Sequence, residues 1–363
     1  MTDDSKQEGK SGEADPSIAH TSGRKSFLPL WIAGIAFFFF FILFSGALWL
    51  WSYASHPVRL APAPSIIVDI PQGTGFAGIR QSLEKAGVIE PDIRFSFVAG
   101  ILGVSRQLKA GEYQFTAGQT PVDILRLLEA GTVVQWPVTI PEGTNIYQLA
   151  DILNDALAVK KEEVLARIHD KKFISSLGLS LSSLEGYLFP DTYLLTRGQS
   201  PDLILAMMVG RFLDVYSEVL AETAAGEKGS AEKPLNRHEV VTLASIVEKE
   251  TGIAEERPLI AAVFVNRLKK KMLLQADPTV MYGVRKFDMA LTRKDLKTPT
   301  AYNTYVKKGL PAGPICNPGR DSLLAVLHPA ETPYLYFVSK NDGTHQFSRT
   351  LKEHNRAVRR FQR

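Results

Sequence analysis

Apolar residues recur with the spacing of amphipathic helices and strands over most of the chain, but the first 64 residues follow a different pattern. Residues 1–26 are rich in Ser, Gly, Asp, Glu and Lys, which predicts a disordered tail. Residues 27–53 form an uncharged apolar run, longer than the ~20 residues that a helix needs to cross a bilayer. We therefore predict a transmembrane helix at 27–53, followed by a Pro-rich extended spacer at 54–64.

The residues that flank the apolar run predict its orientation. Arg24 and Lys25 precede it, and the aromatic residues Trp49, Trp51 and Tyr53 cluster at its far end, as in an interfacial belt. The positive-inside rule then puts the N-terminus in the cytoplasm, so we predict a single-pass protein of the cytoplasmic (inner) membrane whose remaining chain is periplasmic or extracytoplasmic. A cleaved signal peptide is the alternative, but the run is too long and no clear small-x-small site closes it.

Residues 65–137 have the pattern of a small α+β module. "SIIVDIP" alternates as a strand, "GTGFAGIRQSLEKAGVI" has helical spacing, and "LKAGEYQFTAGQT" predicts a strand and a turn. "TPVDILRLLEAG" predicts a helix with Thr120 as its N-cap and Gly131 as its end. The opening of this module recurs, because "IPQGTGFAGIRQSLEKA" at 70–86 aligns with "IPEGTNIYQLADILNDA" at 140–156. This match predicts a strand–turn–helix unit used twice, with chance similarity as the alternative.

The pattern of residues 138–363 predicts a larger mixed α/β domain with a cleft. For the whole chain we therefore predict the α+β class. The pattern is mostly helical up to about Leu268, with helices in "NRHEVVTLASIVEKET" and "RPLIAAVFVNRLKKK". Beyond Lys271 the pattern predicts mostly loops, then a hairpin of "YLYFVS" and "QFSRT" and a last helix from about Leu351.

The absence of known motifs and the net charge argue against metal, cofactor and nucleic-acid chemistry. The sequence contains no HExxH, CxxC, P-loop or G-x-S-x-G motif, and its seven histidines are scattered, so we expect no metal and no cofactor. Cys316 is the single cysteine, which leaves no intramolecular disulfide. A net charge of +4 without a dense basic block gives no reason to expect a nucleic-acid partner.

Carboxylates remain, and glycosidic bond cleavage is a reaction that needs little else. Its general acid must be protonated near neutral pH, so an apolar setting has to raise the pKa of that carboxyl. "LASIVEKETG" brings Glu248 and Glu250 to the end of an apolar helix. Helical spacing places Glu250 one turn beyond Ile246 and Val247, and Glu248 on the opposite flank. We predict Glu250 as the acid and Glu248 as the second choice; a solvated helix edge without a role is the alternative.

A second candidate segment is "SLEGYLFPDTY" at 183–193, with Glu185, Tyr187 and Asp191. Aromatic faces suit carbohydrate rings, although an ordinary turn between helices has the same composition. The third candidate comprises "QADPTVMYG", "YNTY" and "LPAGPICNPG". These loops are either plain connections or polar walls of a groove for a sugar chain. The candidate polar residues in them are Gln275, Asp277, Tyr302, Asn303 and Asn317.

Taken together, the motifs resemble one family. The order and spacing of "EGYLFPDTY", "LASIVEKET", "VFVNRL", "LQADPTVMYG", "YNTY" and "GLPAGPICNPG" are similar to those of the MltG or YceG-like family, the membrane-anchored endolytic lytic transglycosylases of bacterial peptidoglycan. The resemblance implies a LysM-like module before the catalytic domain, and a catalytic glutamate in "SIVEKE". Overlay on the Glu-Ser motif of other lytic transglycosylases puts that acid at Glu250. Glu185, Gln275 and Asp277 would line the cleft.

The resemblance also implies the reaction and the partners. The glutamate would protonate the oxygen between N-acetylmuramic acid (MurNAc) and N-acetylglucosamine (GlcNAc), and the muramic 6-hydroxyl would attack C1 to give a 1,6-anhydro end. Nascent glycan strands would be the substrate, their length would be limited, and peptidoglycan synthases would be partners. Two alternatives stay open: a hydrolytic muramidase using Glu185 or Asp277 as second carboxylate, and a glycan-binding membrane scaffold of the cell-wall machinery.

Overall fold

A computed structural model describes residues 30–58, 64–224, 235–287 and 289–362. The tail predicted at 1–26 lies outside these residues, as do parts of the predicted spacer and of residues 224–236, whose polar composition predicts a surface loop. Helix α1 spans Leu30–Ser55, and its stretch Trp31–Ser55 has a mean hydropathy of 2.3 and exposes most of its side chains, apart from those at its C-terminal end. It is the one helix among the described residues that is long and apolar enough to cross a membrane.

The first hydrophobic core is built from two strands and three helices. These elements are β1 (Ser65–Ile70), α2 (Phe76–Lys85), α3 (Arg94–Leu102), β2 (Gly111–Thr116) and α4 (Pro121–Ala130). The two strands pair antiparallel, with Ile70 opposite Gly111. Helix α4 begins and ends as its sequence predicts, because Thr120 and Asp123 form a reciprocal capping box and Gly131 ends the helix in the left-handed conformation.

The end of α1 packs against this first core. Tyr53 is buried in it, and the guanidinium of Arg94 lies over the rings of Tyr53 and Trp49, at 4.3 and 5.4 Å from their centroids. Three residues after the helix ends, the Val58 N–H donates to the Gln119 carbonyl at 2.8 Å. Helix α1 therefore runs into the first core almost without a gap.

The second, larger core contains most of the helices. The elements of this part of the chain are β3 (Trp136–Thr139), α5 (Ile146–Leu157), α6 (Lys161–Ile168), α7 (Lys171–Ser176), β4 (Thr192–Leu195), α8 (Pro201–Ala224), α9 (Arg237–Glu250), α10 (Arg257–Lys269), α11 (Asp277–Val284), α12 (Arg320–Leu327), β5 (Tyr336–Ser339), β6 (His345–Ser348) and α13 (Leu351–Phe361). Strand β3 pairs antiparallel with β4, and β5 with β6. The mixed α+β class is confirmed, and so are the predicted C-terminal hairpin and last helix.

Helix α9 lies at the centre of the second core. All eight consecutive residues from Val240 to Val247 are buried, whereas helical spacing alone predicts one buried stripe. Helices α10, α11 and α12 all contact it, which explains why it has no solvent face over this length. The polar side chains in this stretch bond within the core: Ser245 donates to the Thr242 carbonyl and accepts from the Ile315 N–H.

The predicted loop-rich segment beyond Lys271 holds two further eight-residue helices, α11 and α12. Pro278 occupies the first turn of α11, where a proline is tolerated, and Gly283 packs closely on Thr300. The prediction of a loop there was wrong because short helices leave little periodicity to detect.

The two copies of the predicted strand–turn–helix unit have the same local structure. Each passes from a strand (β1 or β3) through a turn with a left-handed glycine, Gly73 at φ +80° or Gly143 at φ +74°, into a helix (α2 or α5). In each, the threonine after the glycine donates its hydroxyl to the carbonyl of the proline three residues earlier, at 2.7 Å for Thr74 and 2.6 Å for Thr144. The shared sequence therefore produces a shared turn.

Candidate active site

A cavity of about 430 Å³ opens at the C-terminal end of α9. It is formed by the ends of α9 and α10, the start of α11, the β5–β6 hairpin and helix α13, together with the loop before α11 and Tyr305. Its lining residues are Glu250, Arg267, Leu274, Gln275, Asp277, Tyr305, Phe337, Val338, Ser339, His345, His354, Val358 and Gln362. The cavity is therefore mainly a site of polar and titratable side chains with an apolar strip from β5.

Glu250 is the last residue of α9 and faces this cavity. Burial and, to a lesser extent, the negative charge of Asp277 raise the pKa of its carboxyl to about 8, against the opposing positive charge of Arg267. The carboxyl end of a helix also disfavours negative charge. Glu250 is thus protonated near neutral pH, which is the state that a general acid needs.

Asp277, the second carboxylate of the cavity, has a different environment. It is the first residue of α11, and the helix N-terminus there favours negative charge. The Tyr305 hydroxyl donates to its Oδ1 at 2.5 Å, and the burial and the hydrogen bond both raise the pKa of that tyrosine. One cavity therefore holds two carboxyl groups in different settings, Glu250 at a helix C-terminus and Asp277 at a helix N-terminus with a tyrosine donor.

Arg267 supplies the positive charge beside Glu250. Its side chain is buried, and it donates to two carbonyls, Nε to Leu335 and Nη1 to Leu274, each at 2.7 Å. The ring of Tyr336 lies below the guanidinium at 5.3 Å. Burial lowers its pKa, but the guanidinium remains charged at neutral pH. Carbonyls rather than an ion pair hold this charge in place, so it stays available to an anion that forms in the cavity.

Gln275 is held in the cavity wall by an uncommon backbone conformation. Its φ is +52°, a value that few residues other than glycine adopt. Its N–H donates to the Thr304 carbonyl at 3.2 Å, and the Ala276 N–H donates to the Thr304 hydroxyl at 3.0 Å. The loop before α11 is therefore fixed against the "YNTY" segment, which orients Gln275 and Asp277 toward Glu250.

Comparison with known proteins identifies the family. Residues 68–360 match the YceG-like family. The chain belongs to the YceG-like family. It is 34% identical over 323 residues to the endolytic murein transglycosylase of Bacillus subtilis (strain 168), an alignment that covers 84% of this chain and 87% of that protein. It is also 30% identical over 338 residues to the enzyme of the same name from Streptococcus pneumoniae (strain D39), covering 83% of this chain and 59% of that longer protein.

A solved structure supports the same assignment. The 2.6 Å crystal structure of a YceG-like protein from Listeria monocytogenes superposes with a TM-score of 0.54 at 34% identity, covering 81% of this chain and 99% of that chain. The resemblance that the sequence motifs predicted is thereby confirmed.

In this YceG-like protein, Glu248 lies in a different environment from Glu250. Its Oε2 accepts from the Gly319 N–H at 2.9 Å, and its Oε1 lies 3.5 Å from Arg257 Nη2. Its side chain is 6% exposed. Gly319 is the N-cap residue of α12, so Glu248 binds the start of that helix. Among the described residues, Glu248 is not part of the cavity lining.

Arg257 joins Glu248 to two further carboxylates. Its guanidinium is buried and lies 3.8 Å from both Glu142 and Asp321. Burial and the charge of Glu248 raise the pKa of Glu142, while Arg257 lowers it. A Cβ on Gly319 would collide with the Glu142 carboxylate, so a larger residue there would have to displace that side chain. We name Glu142, Glu248, Arg257 and Asp321 the Arg257 cluster; its contacts hold α9, α10 and α12 together.

Glu185 lies at the other end of α11 from Asp277. It is 3% exposed, and its Oε2 accepts from the Tyr282 hydroxyl at 2.8 Å and from the Ile146 N–H at 3.2 Å. Burial raises its pKa to about 8, against the opposing effect of these hydrogen bonds. Of the described residues at 183–193, none lines the Glu250 cavity. Glu185 is a buried, protonated group that joins α5 to α11.

The other predicted site residues also make internal contacts. The Tyr187 hydroxyl lies 3.1 Å from His238 Nδ1, and Asp191 accepts from Arg211 Nε at 2.9 Å. The Tyr302 ring packs on Tyr282 with centroids 4.8 Å apart.

Two asparagines predicted for the site connect loops instead. Asn317 accepts from the Leu188 N–H at 3.0 Å and donates to the Thr144 carbonyl at 2.9 Å. Asn303 donates to the Thr298 carbonyl at 2.8 Å and accepts from the Tyr305 N–H at 2.8 Å, and so fixes the tyrosine that contacts Asp277. The structure brings Glu250, Gln275 and Asp277 together in one cavity and leaves the other six substrate-site candidates outside its lining.

Several lining residues were not among the sequence candidates. Arg267 and Tyr305 lie inside the quoted motifs "VFVNRL" and "YNTY", so the motifs contained a signal for them. His345 and His354 come from the C-terminal hairpin and helix, where no pattern marks them. Glu256 holds His345, whose Nδ1 lies 2.6 Å from its Oε2.

Proposed function

We propose that this protein is an endolytic murein transglycosylase that cleaves the MurNAc–GlcNAc β-1,4 bond of glycan strands, with Glu250 as its general acid. The observation that carries the proposal is a single carboxyl whose pKa is raised to about 8, in an open cavity, in a chain 34% identical to an enzyme of that name. The enzyme would limit the length of nascent strands, and peptidoglycan synthases are the expected partners.

The proposed reaction uses Glu250 twice. Its carboxyl donates a proton to the glycosidic oxygen as the bond from that oxygen to C1 of the muramic acid breaks. The muramic 6-hydroxyl then attacks C1, and the Glu250 carboxylate accepts the hydroxyl proton, which restores the acid and leaves a 1,6-anhydro end. The positive charge of Arg267 stabilises the carboxylate between the two steps. No water enters the reaction, since the substrate provides its own nucleophile.

Hydrolysis is the second candidate, because Asp277 faces the same cavity as Glu250. A glycoside hydrolase needs a second carboxylate to activate water or to form a covalent intermediate. The hydrogen bond from Tyr305 already occupies Oδ1 of Asp277, which favours a positioning role for this carboxylate. The two functions differ in their products, since hydrolysis leaves a reducing end.

We further propose that α1 anchors the protein in the cytoplasmic membrane with the N-terminus in the cytoplasm, that 65–137 forms the LysM-like module, and that 138–363 forms the catalytic domain. Separate hydrophobic cores and the strand–helix–helix–strand order of β1, α2, α3 and β2 support the module. The length and composition of α1 support the anchor. The cavity would then face the compartment where glycan strands are made.

Mass spectrometry of uncrosslinked glycan strands tests the activity. The full-length chain in detergent is compared with Glu250→Gln and with Glu248→Gln, the matched change two residues away. We expect anhydro-ended internal fragments from the wild type and from Glu248→Gln, and none from Glu250→Gln. Loss with Glu248→Gln alone would move the acid to that residue, and reducing ends would make the enzyme a hydrolase. Intact strands that still bind the protein would support the scaffold alternative.

A further inference from the structure

Helix α3 has an exposed apolar face that the first core does not cover. Ile93, Phe97 and Ile101 are 59%, 53% and 74% exposed, while Phe95, Val98 and Ala99 of the same helix are buried. The three exposed residues recur every four positions, so they form one continuous strip on the helix. A soluble module seldom leaves a strip of large apolar side chains in water.

The position of α1 shows what lies beside this strip. At roughly 100° per residue, Arg94 is next to Ile101 and Phe97 around the helix, whereas Ser96 is on the other side of the strip. Arg94 is also the residue that lies over Trp49 and Tyr53 of α1. The apolar strip therefore borders the side of α3 that contacts the end of α1.

The chain leaves the first core no room to move away from the membrane. Tyr53 is buried in that core, and Val58 is bonded to Gln119 three residues after α1 ends. The aromatic residues at this end of a membrane span lie at the lipid–water interface. The strip starts at Ile93, next to Arg94, and therefore starts beside them.

We propose that the Ile93–Phe97–Ile101 strip is a second membrane contact, inserted into the interfacial layer of the bilayer beside α1. Arg94 is already paired with Asp92 and Glu90, at 2.5 and 2.7 Å, so apolar insertion rather than attraction to anionic lipid holds the strip in place. With the anchor and the strip both in the bilayer, the orientation of the first core relative to the membrane is fixed. The inference rests on the proposal that α1 is a membrane anchor.

Site-directed spin labelling of the full-length chain in lipid vesicles tests this contact. Nitroxide labels are attached to Ile101→Cys and Phe97→Cys, with Ile67→Cys, an exposed isoleucine on β1, as the matched control. Leu43→Cys in α1 reports the anchor separately. The native Cys316 is buried, and the unmodified chain serves as its blank. Collision rates with oxygen, which concentrates in lipid, and with a water-soluble nickel chelate give the depth of each label.

We expect the oxygen-to-nickel ratio at positions 101 and 97 to be several-fold higher than at position 67 and to approach that at position 43. A ratio at 101 and 97 equal to that at 67, with position 43 in lipid, would overturn the contact and leave the anchor standing. Position 43 in water would overturn both. Labels at 101 that exclude both reagents and show dipolar broadening would mean that a second copy covers the strip, which also overturns the proposal. Thermal melting of each variant checks that it is folded.

Discussion

Glu248 and Glu250 lie two residues apart at the end of α9, but their surroundings differ in almost every respect. Glu250 faces an open cavity, where burial and Asp277 keep it protonated. Glu248 points into the interior beside Arg257 and binds the N-terminus of α12. Two positions along a helix correspond to a rotation of roughly 200°, so residues i and i+2 face nearly opposite sides.

The contrast shows how one helix can serve both stability and chemistry. A buried carboxylate with a charge partner and an N–H donor is a structural group, since both of its oxygens already have partners. Glu250, which has no ion pair among the described residues, lies at a helix C-terminus next to another acid, so it retains its proton and can release it. Four predictions test this distinction, from the largest expected effect to the smallest.

Glu250→Gln should lower the rate of anhydro-end formation by about 10²–10⁴-fold, because general acid catalysis has that magnitude. The melting temperature should change little, since Gln resembles the protonated carboxyl. Activity is measured on glycan strands, with Glu248→Gln as control and melting followed by circular dichroism. Equal loss of activity in both variants at equal folded fraction would contradict the separation of roles.

Arg257→Met should destabilise the protein by about 3–5 kcal/mol, because it leaves Glu248 buried without its charge partner. Urea unfolding of the full-length chain in detergent measures the change. The double variant Arg257→Met/Glu248→Met should recover a large part of the loss, since no unpaired charge remains. Additive losses in the double variant would mean that the Arg257 cluster does not act as a unit.

Glu185→Gln tests whether a raised pKa is sufficient for a catalytic role. The pKa of Glu185 is about 8 in the folded protein, above its unfolded value, so its stabilising effect is fully present at low pH and is lost as pH rises toward 8. The free energy of unfolding of the Gln variant minus that of the wild type should therefore increase by roughly 2–4 kcal/mol as the pH is raised from 5 to 9. Its activity should stay within tenfold of wild type; a loss equal to that of Glu250→Gln would give Glu185 a direct role.

Asp277→Asn should shift the pH dependence of the reaction. Since Glu250 must be protonated, activity in the wild type should fall as pH rises through about 8. Removing the negative charge of Asp277 lowers the pKa of Glu250, so the fall in activity should move to lower pH. Asp321→Asn, in the Arg257 cluster, is the control, and its activity should still fall near pH 8. If the activity of Asp277→Asn also fell near pH 8, the charge of Asp277 would have no effect on the pKa of Glu250.

Local sequence predicted the parts of the fold that depend on neighbouring residues. The capping box of Thr120, the two Gly-Thr turns and the helical position of Glu250 all follow from residues within a few positions of one another. The short helix α11 was missed because eight residues containing a proline and a glycine carry too weak a pattern. The six candidates outside the cavity share their types with groove residues, and type alone does not distinguish a groove from a buried hydrogen-bond network.

The sequence by itself determined an apolar span, an α+β chain and a carboxyl at the end of an apolar helix, because periodicity and composition act over short stretches. Only the tertiary structure decided that Glu250 faces a cavity while Glu248 faces Arg257. The cavity is made by residues that are far apart in the chain: Arg267 bonds to Leu335, 68 residues away, and His354 comes from the last helix. The pKa of Glu250 depends on burial by these distant segments and on the charges of Asp277 and Arg267, and no local pattern contains that information.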